Sequence, residues 1–219
     1  MRFPKFRVGK TASGTSSTMA TAYRGSLVKS YEKSRKNNPK WAFEEDTLRT
    51  VMNAIDPSEK RIVADIPVGT NRFYQFLDDD PEIKIVHCID NSVDMLIESM
   101  MRTSSKFFYS RCDMIDEGTP IVSDTVISYR FLNLFDFNTI EKILANLCHS
   151  SRRNLIMTIR LSESHEESGS VFQNKIHIHS RARFDEALAA NDFEPVWEKG
   201  YADEKPGEYF TLHARRNGH

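Results

Sequence analysis

Val63-Ala64-Asp65-Ile66-Pro67-Val68-Gly69-Thr70-Asn71-Arg72-Phe73 joins an apolar run to a turn and the turn to a helical pattern. The run, Arg61–Ile66, is short and does not alternate, as expected of a strand buried on both faces. An acid ends it. Gly69 stands in the turn that follows, where backbone can bend sharply or lie close to a ligand. Asn71–Leu77 then reads as a helix, and the first N–H groups of a helix have no partner within it. Cys88-Ile89-Asp90-Asn91-Ser92 repeats the plan. The run Ile83–Ile89 leads into Asp90, 21 residues beyond Gly69, and Ser92–Met101 follows with Val93, Leu96 and Met100 on one helical face.

The alternation continues outward. Lys106–Arg111, Asp124–Tyr129 and Asn154–Ile159 read as further strands, and Asn138–Cys148 as a helix with Ile140, Ile143, Leu144 and Leu147 inward. Strand–helix alternation at this spacing predicts right-handed crossovers and a three-layer α/β/α fold around a mostly parallel sheet. Ser180–Asn191 reads as a helix capped by Ser180. Phe193–Lys199 and Glu208–Ala214 follow, joined directly, so they are expected to be antiparallel. Ser162–Gln173 reads as a polar loop, and His177 and His179 as the exposed face of a short strand, although either is a candidate general base. Before the alternation, Phe43, Leu48, Val51, Met52 and Ile55 mark an amphipathic helix that Asp56-Pro57 stops.

Composition bounds the function. In 219 residues, 39% are hydrophobic and 28% charged, enough apolar content for a packed core. Mean hydropathy is -0.51, no run is long and apolar enough to cross a bilayer, and the start of the chain lacks a secretory pattern. Cys88, Cys112 and Cys148 share no metal-ligand spacing, so neither a disulfide framework nor a metal site is expected, and a reducing, cytoplasmic setting fits. The net charge of -1 conceals a split: residues 1–40 carry +9 and the rest -10. The expected division is a flexible basic arm (1–22), a helical lid (23–57) and a ligand-binding domain (58–219). The arm suits an anionic ligand, or simply solvent or its own acidic domain.

In open parallel sheets, ligands bind beyond the carboxyl ends of the strands. Asp65, Asp90 and Asp113 are all expected there. An acid about twenty residues after the glycine turn is placed to accept both hydroxyls of a ribose. Asp113 suits an adenine amino group, with Met114 as apolar cover. Ser128-Tyr129-Arg130-Phe131-Leu132-Asn133 ends the fourth strand beside the first.

These segments resemble the class I S-adenosylmethionine-dependent methyltransferases over about residues 60–215. Asp65-Ile66-Pro67-Val68-Gly69-Thr70 is similar to that family's first motif. Ile89-Asp90-Asn91-Ser92-Val93-Asp94-Met95-Leu96 is similar to its second, Cys112-Asp113-Met114 to its third, and Asp124–Leu132 to its fourth. The resemblance implies a Rossmann-like seven-stranded sheet with a terminal antiparallel hairpin, S-adenosyl-L-methionine as cofactor, and methyl transfer to a small-molecule acceptor. By position it gives the methionine end to Asp65, Pro67, Gly69 and Thr70, the ribose to Asp90 with Asn91, and the adenine to Asp113 and Met114. Tyr129 would stand near the sulfonium. Arg130 would stand near the acceptor, with Tyr31 and Trp41 as lid candidates; Trp41 and Trp197 otherwise read as packing residues. No catalytic base is indicated. Where the family usually has three glycines this chain has Pro67, Gly69 and Asn71, so Asn71 is expected to hydrogen-bond the cofactor or narrow its pocket. Asn133 replaces a frequent histidine.

Other chemistries lack their motifs. There is no Gly-x-Ser-x-Gly elbow, phosphate-binding loop or zinc spacing. The aromatic-rich basic patterns of RNA-binding modules are missing, as is the Pro-Pro motif of amino-directed DNA methylation, so nucleic acid is not the expected partner. Three alternatives stay open: a degenerate methyltransferase-fold binding protein, an enzyme that cleaves S-adenosylmethionine itself, and a nicotinamide oxidoreductase, against which the terminal hairpin counts. Oligomeric state is not legible.

Overall fold

The protein is described by a computed structural model covering residues 38–102, 104–163, 168–171, 176–203 and 207–218, with the backbone alone for 168–171. The 1–22 arm and residues 23–37 of the proposed lid, Tyr31 among them, therefore lie outside the described residues.

Helix α1 spans Pro39–Ala54. Asn38 caps it by accepting from the Lys40 N–H, proline occupies its first position, and Asp56-Pro57 follows its end. The strands are β1 (Ile62–Asp65), β2 (Ile85–Asp90), β3 (Phe107–Arg111), β4 (Ser123–Ser128), β5 (Ser151–Ser162), β6 (Ser168–Val171), β7 (Ile176–Ser180), β8 (Phe193–Tyr201) and β9 (Glu208–Arg216). Between them run α2 (Tyr74–Asp79), α3 (Val93–Ser99), α4 (Phe137–Ser150) and α5 (Arg181–Ala189).

Strands β3-β2-β1-β4-β5 are parallel neighbours in that order. β9 pairs antiparallel with β5, and β8 antiparallel with β9, so the terminal hairpin closes the sheet as expected. The chain runs outward from β1 to β2 and β3, then returns to β4 on its other side. That reversal opens a crevice at the carboxyl ends of β1 and β4.

Two corrections concern the stretch after β5. Residues 168–171 are a strand, not loop, and with β7 they raise the seven-stranded frame to nine strands among the described residues. Ser168-Gly169-Ser170-Val171 carries no apolar alternation, so its ladder with β7 leaves no mark in the sequence. His179 is buried, not exposed; it stacks on His177 at 6.2 Å and packs near Phe137, and burial lowers its pKa to about 4. Ser180 does precede α5, but its side chain makes no capping hydrogen bond.

The sheet has a core on each face. α4 and α5 cover one with Ile140, Ile143, Leu144, Leu147, Phe184 and Leu188. Each such side chain contributes about 1.5–3 kcal/mol by leaving water. Asp136 starts α4 by accepting from the Thr139 N–H at 2.9 Å. α1, α2 and α3 cover the other face with Leu48, Val51, Met52, Leu77 and Leu96. Among the described residues no helix is long and apolar enough to cross a membrane.

Candidate functional site

β1 delivers Asp65 to the crevice. Beyond it the turn is tied to both neighbouring strands: the Ile66 N–H donates to the Ile127 carbonyl and the Val68 N–H to that of Ile89. Gly69 has φ +53, in the left-handed region that side chains disfavour, and a Cβ there would enter open space. Its N–H donates to Asp90 Oδ2 at 2.9 Å, while the Ser92 N–H donates to Asp90 Oδ1 at 2.8 Å. One carboxylate thus holds the glycine turn and the start of α3 together. Ser92 completes that start by accepting from the Met95 N–H.

Asp113 is fixed in the same way. It accepts from Asn91 Nδ2 and from the Ile115 N–H, each at 2.9 Å, so it is a turn residue as well as a cleft residue. Asp65, Pro67, Gly69, Thr70, Asp90, Asn91, Asp113, Met114, Tyr129 and Arg130 all line one cavity of about 150 Å³. Burial pushes the Asp65 carboxyl up to about 8; the nearby Arg72 pulls against the shift and Asp90 adds to it. Burial likewise raises Asp90 to about 6, opposed by its backbone N–H donors. The ring of Tyr129 lines the cavity and packs edge-on against Phe73 at 5.0 Å, but its hydroxyl lies beside Thr47 and Thr211. It offers the cavity a π-face and not a phenol.

Asn71 corrects an expectation. It has φ +57, and its amide donates to Tyr109 Oη and the Arg102 carbonyl, away from the cavity. It is not among the residues that line the cavity, so the feature that prompted the degenerate alternative stands outside the cleft. Asn133 is buried and accepts from the Arg160 N–H at 2.6 Å, a structural role.

The sequence reading missed the most connected residue of this region. Glu44 of α1 is fully buried, and its carboxylate takes hydrogen bonds from Arg72, from Arg130 Nε at 2.8 Å and from Tyr209 Oη at 2.5 Å. Trp41, one turn earlier, lines the cavity with its ring 4.2 Å from the Arg72 guanidinium carbon. The available signal was an acid inside the apolar stripe of α1, three and four residues before the buried Thr47 and Leu48. Phe131 and Phe135 also line the cavity and were not singled out.

No protein-family model and no curated protein matches the sequence. Solved structures do match by shape. The magnesium protoporphyrin IX methyltransferase of Synechocystis PCC 6803, with S-adenosylhomocysteine bound, superposes with a TM-score of 0.70 at 11% identity, covering 92% of this chain and 99% of that one. The chain has the class I S-adenosylmethionine-dependent methyltransferase fold. The 1,6-didemethyltoxoflavin-N1-methyltransferase of Burkholderia thailandensis, holding 1,6-didemethyltoxoflavin and S-adenosylhomocysteine, shares this methyltransferase fold with a TM-score of 0.64 at 15% identity, over 95% of this chain and 93% of that one. So does an S-adenosylmethionine-dependent methyltransferase of Clostridium acetobutylicum ATCC 824, with a TM-score of 0.62 at 12% identity, over 92% and 99%. In methyltransferase-fold terms, the glycine turn, Asp90 and Asp113 occupy three successive strand tips of the shared sheet.

Proposed function

We propose that the protein is an enzyme that transfers the methyl group of S-adenosylmethionine to a small-molecule acceptor. One observation carries the reading: the Asp90 carboxylate, set by the Gly69 and Ser92 N–H groups, faces a cleft that Asp65, Asp113 and Met114 also line. The donor set suits this cofactor. Asp90 has the acceptor oxygens for paired ribose hydroxyls, and Asp113 with Met114 combines an acceptor with an apolar cover for adenine. Asp65, buried and without a hydrogen-bond partner among the described residues, calls for a cationic group such as an ammonium. The missing side chain of Gly69 leaves room for a ligand's tail.

When bound, the cofactor supplies a methyl group already activated on a sulfonium. The chain has to align it with the acceptor and exclude water. The buried ring of Tyr129 gives the cation a π-face, and Met114, Phe131 and Phe135 keep the cleft apolar. No base is assigned. Of the solved methyltransferases named above, one is a magnesium protoporphyrin IX methyltransferase and another holds 1,6-didemethyltoxoflavin, which supports a small acceptor here. The division into a basic arm (1–22), a lid (23–57) and a cofactor domain (58–219) belongs to the same reading, with the arm's positive charge drawing an anionic acceptor. So does a cytoplasmic setting, in which the three buried cysteines stay free.

Calorimetric titration tests it. Both S-adenosylmethionine and S-adenosylhomocysteine should bind, and Asp90→Ala should weaken either by about 1–3 kcal/mol. No binding of either ligand would overturn the reading. Cofactor that stays intact on incubation without an acceptor would separate transfer from cleavage.

A further inference from the structure

Asp65 and Arg72 stand on either side of Gly69 in the chain, carry opposite charges and line the same cavity. Burial raises the Asp65 pKa and the field of Arg72 opposes the rise, yet Arg72 pairs with Glu44 and not with Asp65. Its guanidinium brings five N–H donors. Nη1 donates to the Glu44 carboxylate and Nη2 to the Trp41 carbonyl, the second bond long at 3.4 Å, while Nε is buried and has no partner among the described residues. A buried donor left unmet costs about 1–3 kcal/mol, so an acceptor brought to this guanidinium is favoured. The group is also held in place. Its side chain is 10% exposed, and its carbon lies 4.2 Å from the Trp41 ring and 4.4 Å from that of Phe73, both of which line the cavity. A carboxylate and a guanidinium that share a cleft without pairing match a ligand with both charges on one carbon, an α-amino acid. An ammonium alone would answer Asp65 and leave Arg72 unmet.

We propose that Arg72 receives the carboxylate of the cofactor's amino-acid tail while Asp65 receives its ammonium, and that the tail, through Arg72, braces α1 against the cleft. Arg72 lies beyond Asp65–Thr70, the stretch to which the family resemblance gives the methionine end. The bracing follows from the other bonds of the guanidinium. Glu44 and Trp41 both belong to α1, so a ligand group that fixes Arg72 fixes the first turns of that helix as well. The inference rests on the methyltransferase reading, since it takes S-adenosylmethionine as the occupant of the cavity.

The test uses the full chain and three nucleosides of one scaffold. S-adenosylhomocysteine carries both charges, 5′-(3-aminopropylthio)-5′-deoxyadenosine the ammonium alone, and 5′-methylthioadenosine neither. By calorimetry, loss of the carboxylate should weaken binding to the wild type about tenfold. Amide hydrogen exchange over residues 39–54 should slow on saturation with S-adenosylhomocysteine and not with the aminopropyl nucleoside. Arg72→Gln should bind those two within about twofold of each other and lose the slowing. Arg72→Lys keeps a cation beside Glu44, so it reports even if Arg72→Gln does not fold, and should reduce the preference to about threefold because the planar fork is gone. Equal wild-type affinity for the two nucleosides, exchange over 39–54 that ignores S-adenosylhomocysteine, or a preference unchanged in either variant would overturn the proposal. The last is what a merely structural arginine would give, weakening all three nucleosides together. Failure of the wild-type chain to bind any of the three would instead sink the methyltransferase reading, a separate result.

Discussion

Glu44 and Arg130 are 86 positions apart in the chain, yet Arg130 Nε lies 2.8 Å from each oxygen of the Glu44 carboxylate. The contact pins α1 over the end of β4 and sets this helix against the cleft, where Trp41 forms part of the wall. Because Arg72 and Tyr209 share the same carboxylate, one side chain joins α1, the glycine turn, the β4 end and the terminal hairpin.

Removing that carboxylate should therefore be costly. Glu44→Ala removes the fully buried carboxylate that two partly buried guanidinium groups share, and breaking a buried pair in this way costs about 3–5 kcal/mol. Urea unfolding of the variant beside the wild type measures it. A loss below about 1 kcal/mol would show that the cluster does not anchor α1.

The buried acids make both stability and binding depend on pH. Asp65 and Asp90 are raised from 3.8 to about 8 and about 6. In the unfolded chain both ionise near 3.8, so between about pH 4 and pH 8 the folded protein binds more protons than the unfolded one. The ligand-free protein should thus lose stability as pH rises through that window. A cationic group beside Asp65 favours its ionised form, so affinity for S-adenosylhomocysteine should increase from pH 6 to pH 8.5, with proton release on binding at pH 7. Calorimetry in buffers of different ionisation enthalpy counts those protons, and Asp65→Asn should abolish their release.

Gly69→Ala should separate binding from folding. At φ +53 the added methyl costs about 1–2 kcal/mol in backbone conformation, but it meets no atom within 4 Å because it projects into the open cleft. Thermal unfolding should shift modestly while S-adenosylhomocysteine affinity falls at least tenfold. An unchanged affinity would mean that the ligand does not lie over this turn.

Asn71→Gly should do the reverse of what its place in the motif suggests. Glycine accepts φ +57 freely, and the lost contacts, 3.3 Å to Tyr109 Oη and 3.4 Å to the Arg102 carbonyl, are long. Stability should change by less than about 1 kcal/mol and S-adenosylhomocysteine affinity by less than twofold. A tenfold gain in affinity would return the side chain to the cleft.

The sequence by itself determined the strand–helix order, the placement of Asp65, Asp90 and Asp113 at successive strand tips, and the antiparallel end of the sheet. These follow from signals local in the chain: apolar runs of strand length, a glycine turn, and a connection too short for a parallel return. Only the tertiary structure decided that Glu44 would meet Arg72 and Arg130, that Trp41 would line the cavity and Asn71 would not, and that His179 would be buried. An ion pair is chosen by which ends the topology brings together, and the direction of a side chain by the packing around it, so neither is written in the residues next door. The polar strand 168–171 escaped notice for a related reason: it is held by backbone pairing to β7, and backbone pairing leaves no pattern in side chains.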